Sequence, residues 1–268
     1  MREQIESIFS GEGIEFFAAR DYSELCEINP GLGKRCGVTA RSAFIFLVPY
    51  YVGEGENLST YSTSLDYHIY IRELTARIIS ALSELYPEGH FWGFGDHSPI
   101  DERHAALTSG LGIAGENGLL INEKYGTYIF IGDIITDLPP ERIFASLPKP
   151  VLSCEGCGAC KSACATGILS GESRECLSAI TQKRGELSEG EVALMRKYNT
   201  VWGCDLCQRA CPHNADPVIT PIDFFKKDRI SELTTDKINS MSDEQFRERA
   251  FAWRGRAVVL RNLAKLDY

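Results

Sequence analysis

Eight of the ten cysteines lie between Cys154 and Cys211, at spacings that suit iron–sulfur chemistry. Cys154, Cys157, Cys160 and Cys164 form C-x2-C-x2-C-x3-C, with which a bacterial ferredoxin loop wraps three thiolates round one 4Fe–4S cubane and sends the fourth to a neighbouring cluster. Cys204, Cys207 and Cys211 supply C-x2-C-x3-C-P, a second half without its middle cysteine, for which Cys176 is the obvious substitute. Two-cluster logic then gives Cys154, Cys157, Cys160 and the distant Cys211 to one cluster, and Cys204, Cys207, Cys176 and Cys164 to the other. Paired C-x2-C units also build zinc ribbons, but three cysteines within seven residues fit a cubane corner better than a tetrahedral knuckle. One departure is Ala165, where the motif usually carries proline; the second half keeps it as Cys211-Pro212. Cys26 and Cys36 lie outside the scheme and are expected to be ordinary buried thiols. Two clusters in one module make an electron relay, and something must receive the electrons.

The elements around this module set its context. A chain of 268 residues with 44% apolar composition has enough material for one large domain or two modest ones. Its 37 acidic against 28 basic residues give a net charge of −9, the wrong sign for a protein that coats nucleic acid. The N-terminus lacks the basic and apolar regions of a signal peptide, and the longest apolar stretch, 43–52, is broken by Pro49 and is half a membrane span. A cytoplasmic protein without a membrane partner is the expectation, and ten cysteines in such a chain point to metal rather than to disulfides.

Up to residue 150 the pattern is mixed α/β. A strand is expected at Ala43–Pro49, a helix over Leu65–Leu85 in which Ile69, Leu74, Ile78 and Leu82 recur at helical spacing, and a strand at Phe91–Phe94. Leu119–Ile121 and Tyr128–Ile135, flanking the turn-like Glu123–Thr127, suggest a strand pair. Pro139, Pro140, Pro148 and Pro150 mark a module boundary near 150. The expected division is 1–150, an α/β domain; 151–222, a ferredoxin-like module; and 223–268, a helical tail.

The informative stretch upstream is Gly95-Asp96-His97-Ser98-Pro99-Ile100-Asp101-Glu102-Arg103, followed by Gly110-Leu111-Gly112-Ile113-Ala114-Gly115-Glu116-Asn117. Gly110, Gly112 and Gly115 match G-x-G-x-x-G, but a helix-like segment precedes them and a strand-like one follows, the reverse of the dinucleotide-binding order. Together with Gly126–Asp133, Thr136–Pro139 and the cysteine pattern, this stretch resembles the epoxyqueuosine reductase family. The resemblance covers roughly 43–214 and resumes at Arg254-Gly255-Arg256 and Leu260-Arg261-Asn262.

That resemblance implies an α+β chain in which cobalamin sits between a nitroreductase-like domain and the two-cluster module, one cluster reducing the cobalt. It implies an oxidoreductase of queuosine biosynthesis acting in tRNA processing, fed by an external low-potential donor of flavodoxin or ferredoxin type. It makes Asp96 the proton donor and places His97, Arg103, Gly112, Gly115 and Asn117 at the cofactor. The chemistry is sensible, because removing the oxygen of an epoxide needs an acid beside it, and burial of a carboxyl raises its pKa toward that role. On the residues alone, Asp96 reads equally as a turn or N-cap residue before a helix near Asp101, and Glu102 and Arg103 as a helix-surface pair. His68, in Asp66-Tyr67-His68, is as readily structural. Glu116 and Ile69 stand where the family carries lysine; no D-x-H-x-x-G occurs to support a histidine-ligated corrin, and the resemblance implies one bound without a protein axial ligand. The chain stops at Tyr268, ahead of the family's helical repeats, which lowers the expectation of tRNA as partner. The tail's Arg247, Arg249, Arg254, Arg256, Arg261 and Lys265 suit phosphates or an amphipathic helix packing Phe251, Val258, Val259 and Leu263 inward. A competing reading is an electron-transfer or corrinoid-reducing iron–sulfur protein with no substrate of its own.

Overall fold

The computed structural model describes residues 1–35 and 39–267; Cys36 lies outside them. Two compact units emerge, one built from 1–49 and 68–155, the other from 50–67 and 156 onward.

The first unit is organised by β2 (Ser42–Pro49), whose run SAFIFLVP is buried throughout. A strand apolar on both faces belongs in the middle of a covered sheet. It pairs antiparallel with β1 (Phe17–Asp21) on one side and β6 (Ile129–Thr136) on the other, and β3 (Phe91–Gly95) closes the order β1-β2-β6-β3. Phe44 and Phe46 face α1 (Arg2–Gly11), whose Phe9 stacks on Phe17 with ring centroids 4.2 Å apart. The same face carries α3 (Tyr67–Leu85), which buries Tyr70, Ile71, Leu74, Thr75, Ile78 and Leu82. Its approach requires glycine on β3, since a Cβ at Gly93 would fall 2.4 Å from Thr75. The opposite face holds α4 (Glu102–Thr108), with Ala105, Ala106 and Leu107 against Ala43, Ile45, Leu47 and Ile135. A short α2 spans Pro30–Arg35.

The strands at 43–49 and 91–94 and the helix to Leu85 stand where the sequence puts them. The strand pair does not. The short β5 (Leu120–Ile121) pairs with β4 (Ile113–Ala114), while β6 leaves for the centre of the large sheet. Asn122 makes the break: its Oδ1 accepts the N–H of Lys124 and Tyr125, and its Nδ2 donates to Leu111 O at 3.0 Å.

The second unit is helical: α5 (Ala159–Ala163), α6 (Leu177–Thr181), α7 (Glu189–Lys197), α8 (Leu206–Arg209), α9 (Thr235–Ser240), α10 (Asp243–Arg247) and α11 (Arg256–Leu266). Residues 223 onward join this unit: Leu233, Ile238, Phe246, Phe251, Val258, Val259 and Leu263 share one core with Leu58, Val201 and Trp202. The incoming segment 50–67 is tied down by Asn57, whose side chain bonds both the N–H and the C=O of Leu233 at 2.8 Å. Asn262 works similarly inside the core, fully buried, its Nδ2 donating to Thr181 O at 2.7 Å and Val201 O at 2.8 Å. Replacing Asn262 by leucine leaves two buried carbonyls without that donor, and urea unfolding is expected to show a loss of about 2 kcal/mol or more.

Candidate active site and cluster cysteines

All nine described cysteines are free thiols. In the helical unit, Cys160 is buried on α5, which packs against α8, the helix carrying Cys207. Cys204 and Cys207 sit where burial pushes their thiols up to about 11 and about 12, with Cys176, Cys164 and Asp205 adding to the rise. Cys204 and Cys207 therefore each lie within electrostatic reach of Cys176 and Cys164, the four expected to share a cluster. Burial would raise Cys164 as well, but backbone N–H groups of Leu169, Thr166 and Ile168 aim at its sulfur and bring it below the usual thiol range. Such donors favour a thiolate. Cys154, in the first unit, is placed by the sheet: its N–H donates to Ala114 O on β4 at 3.0 Å. Among the described residues no three His, Cys, Asp or Glu side chains converge on a single-ion site.

Asp205, between two of these cysteines, is buried and satisfied. One oxygen accepts the Ser59 hydroxyl and the other the Thr60 N–H, at 2.6 Å, so it clamps segment 50–67 to the cysteine loop.

The Asp96 loop leaves β3 where the strand runs under α3. A Cβ at Gly95 would come 2.7 Å from Ile71, so the turn begins on a residue that only glycine fits. Asp96 itself has φ +65°, left-handed backbone that aspartate tolerates better than most residues. It is exposed, its carboxylate 3.6 Å from Nε2 of His68 in the first turn of α3. Asp101, not Asp96, caps α4, accepting the His104 N–H at 2.9 Å.

Beneath this loop lie two carboxyls. Asp133, on β6, occupies the sheet row between Ile45 and Phe94 on the α4 side; it is fully buried, and neither of its oxygens makes a hydrogen bond of good geometry. The groups that act on it are the Ser98 hydroxyl and Glu102. Glu102 opens α4, half-buried, with Oε1 accepting the backbone N–H of Asp96 at 3.0 Å. Burial, then the facing Asp133, pushes Glu102 up to about 9; burial pushes Asp133 to about 7. At neutral pH the pair holds at least one proton.

The acids beneath the loop are the half-buried Glu102 and the fully buried Asp133, while Asp96 itself is exposed. Glu102 is correspondingly no surface partner of Arg103, whose guanidinium donates instead to Gly118 O at 2.9 Å. His97 is exposed beside Asp96. Gly112 and Gly115 serve the β4–β5 hairpin, where their Cβ atoms would fall 2.5 Å from Ile121 O and Asn117 Oδ1; Asn117 Oδ1 accepts the Leu119 N–H. Their order after α4 and within strands is the reverse of a dinucleotide loop, as read. Cys26 is exposed, contrary to the buried thiol expected.

In the tail, α11 buries Val258, Val259 and Leu263 as its apolar spacing requires. Most of its arginines are engaged inside the unit. Arg256 donates to the carbonyls of Ile238, Met241 and Ser242, Arg261 to those of Lys183 and Gly185, and Arg249 to Asp228 O. Arg254 stacks on the exposed Trp253 at 3.8 Å.

Residues 153–214 match the family described as a 4Fe-4S double cluster binding domain. An epoxyqueuosine reductase of Listeria monocytogenes is 32% identical over 215 residues, covering 75% of this chain and 54% of that protein. The chain is a relative of the epoxyqueuosine reductases. It spans about half the length of the first curated relatives it matches. The fold agrees: the epoxyqueuosine reductase of Streptococcus thermophilus superposes with TM-score 0.77 at 21% identity, over 99% of this chain and 80% of that one. An epoxyqueuosine reductase crystallised with an epoxyqueuosine-modified tRNA stem loop gives 0.78 at 19% identity, over 98% and 80%. The chain therefore carries iron–sulfur clusters on a mixed helix-and-strand fold. Among the described residues, no helix is long and apolar enough to cross a membrane.

Glu102 and Asp133 were present in the quoted motifs but were not taken as a pair. Their signal was charge without a partner: an aspartate in the otherwise apolar strand IFIGDIIT.

Raised carboxyl pKa values mean that the folded state binds protons the unfolded chain has released. Stability is then present below the ordinary carboxyl range and declines as pH rises toward about 9. Asp133→Asn removes the part of that decline owed to Asp133 and to its charge facing Glu102, and leaves the part owed to the burial of Glu102. Urea unfolding at pH 5 and pH 9 is expected to show wild type losing a few kcal/mol more than the variant over this interval.

Proposed function

We propose that this chain is an iron–sulfur, cobalamin-dependent reductase of the epoxyqueuosine reductase type, in which two 4Fe–4S clusters relay electrons to cobalt for removal of oxygen from an epoxide or related electrophile. The observation that carries this reading is the ordered cysteine segment 153–214 in a chain whose first unit also presents the Asp96 loop. One cluster is held by Cys154, Cys157, Cys160 and Cys211, the other by Cys164, Cys176, Cys204 and Cys207. The reach of Cys204 and Cys207 to Cys164 and Cys176, and the backbone donors at Cys164, support that assignment.

Cobalamin, when bound, supplies a strongly reducing metal that accepts single electrons and delivers them to carbon. The residues on hand suit it unevenly. Asp96 and His97 are exposed in the loop before α4 and Arg103 is exposed in its first turn, polar groups that would suit the amide arms of a corrin. Gly112, Gly115 and Asn117 already build the hairpin, so their part is to hold that edge in place. We take the first unit as the nitroreductase-like domain that receives cobalamin and substrate.

Net removal of an epoxide oxygen takes two electrons and two protons and releases water. Asp96 would give a proton to the oxygen as its bond to carbon breaks, with His68 at 3.6 Å able to stabilise the resulting carboxylate and to return a proton. The electrons come from a low-potential donor of flavodoxin or ferredoxin type. Epoxyqueuosine-bearing tRNA is the proposed partner, in keeping with the tRNA stem loop bound by the relative above, and the cytoplasm the proposed compartment.

Two experiments test this. Anaerobically reconstituted protein is expected to bind cobalamin at micromolar concentration and to turn over epoxyqueuosine. Asp96→Asn should lower the turnover rate by at least about a hundredfold with cobalamin and iron unchanged. Failure to bind cobalamin would overturn the reductase reading and leave an electron-transfer protein. Iron and sulfide analysis of Cys176→Ala is expected to show one cluster lost and one kept; retention of both would remove Cys176 from the ligand set.

A further inference from the structure

The Glu102–Asp133 pair lies one hydrogen bond from the proposed acid. A protonated carboxyl has one acceptor oxygen and one O–H. Glu102 uses Oε1 to accept the Asp96 N–H, which leaves its other oxygen uncommitted, and Asp133 is the carboxyl that acts on it most. Asp133 has no other way to hold charge: it is fully buried, and the groups that act on it are Ser98 and Glu102.

Among the described residues no cation acts on the pair, and the buried Arg20 of β1 is committed to Thr108, Ser109 and Glu24. β2 and β5 carry no charged residue, and Asp133 is the only one on β6. On α4, Asp101 is turned to its own helix, Arg103 to Gly118 O, and His104 to solvent. From α3, His68 faces Asp96. The loop is meanwhile held in a left-handed turn at Asp96, a conformation that persists only where neighbours hold it.

We propose that Glu102 and Asp133 form a proton-linked latch that positions Asp96: with a proton between them, Glu102 stays beneath the loop and holds the Asp96 N–H, and when both ionise their repulsion drives Glu102 outward and frees the loop. Glu102 and Asp133 are positioning residues; Asp96 alone meets the reacting oxygen. The inference rests on the reading of Asp96 as the proton donor, but its test needs neither cobalamin nor turnover, so each can fail without the other.

The test is amide exchange at Asp96, followed by NMR from pH 6 to pH 10 in the full chain and expressed against the intrinsic rate at each pH. Wild type is expected to protect this amide near neutrality and to lose the protection as the pair ionises. Glu102→Ala should exchange roughly tenfold faster than wild type near neutrality, the effect of one lost hydrogen bond of ordinary strength, and the two should converge as the wild-type pair ionises. Glu102→Gln keeps an acceptor oxygen without a titrating group, and Asp133→Asn removes the repulsion, so both should stay protected to pH 10. Should Glu102→Ala fail to fold, the last two variants still decide. An Asp96 amide that is unprotected in wild type, or a pH dependence that persists in Glu102→Gln, overturns the latch.

Discussion

A carboxyl group enclosed in the sheet, with no cation beside it among the described residues, is the constraint around which the first unit is arranged. Asp133 sits in a row with Ile45 and Phe94, two strands of apolar neighbours closing it from the sides and α4 covering it from above. Removing an ionised carboxylate from water costs several kcal/mol unless a partner compensates, so the site must hold a proton. Glu102 supplies the facing group, which requires α4 to begin directly over β6. The far end of α4 is fixed to match: Arg20, fully buried on β1, donates to Thr108 and Ser109 in and just after the last turn of α4, where a cation also suits the helix dipole. The Asp96 loop is then suspended between a glycine-bound strand end and the first residue of a helix pinned at both ends.

The helical unit solves a different problem. Burial makes the surroundings of Cys204 and Cys207 unfavourable for thiolates, and the neighbouring sulfurs and Asp205 add to the penalty. In the proposed ligand assignment iron would remove it, because cluster formation releases the thiol protons and neutralises the assembled charges. Cluster assembly and packing of this unit are therefore coupled, and Asp205 links them further by tying Ser59 and Thr60 to the cysteine loop.

Much of this was legible in the sequence, for reasons that differ by residue. The cysteine groups could be read because cubane ligation is a matter of local spacing, and β2 because eight consecutive buried positions leave an apolar run. The tail was legible as a helix but not as a member of the cysteine unit, since Leu58, which packs beside Phe251 and Val259, enters from a segment nearly two hundred residues earlier. The arginines there looked free for phosphates until their carbonyl acceptors appeared. β5 and β6 looked like a hairpin because their separation suits one; Asn122 diverts the chain through hydrogen bonds that hydropathy does not register. Asp133 and Glu102 are thirty-one positions apart, and only the register of β6 against β3 and the placement of α4 bring them together. The resemblance led to Asp96, and the structure adds the pair that Asp96 rests on.

The most direct test of that arrangement is a carbon-13 NMR titration of the side-chain carboxyls, with Glu102 and Asp133 assigned through their substitutions. The account predicts that one of the two remains protonated at pH 7 and that their titrations are coupled, each changing when the other is replaced by its amide. Two independent titrations complete below pH 5 would contradict it, and would leave the Asp96 loop without the proton-linked support described.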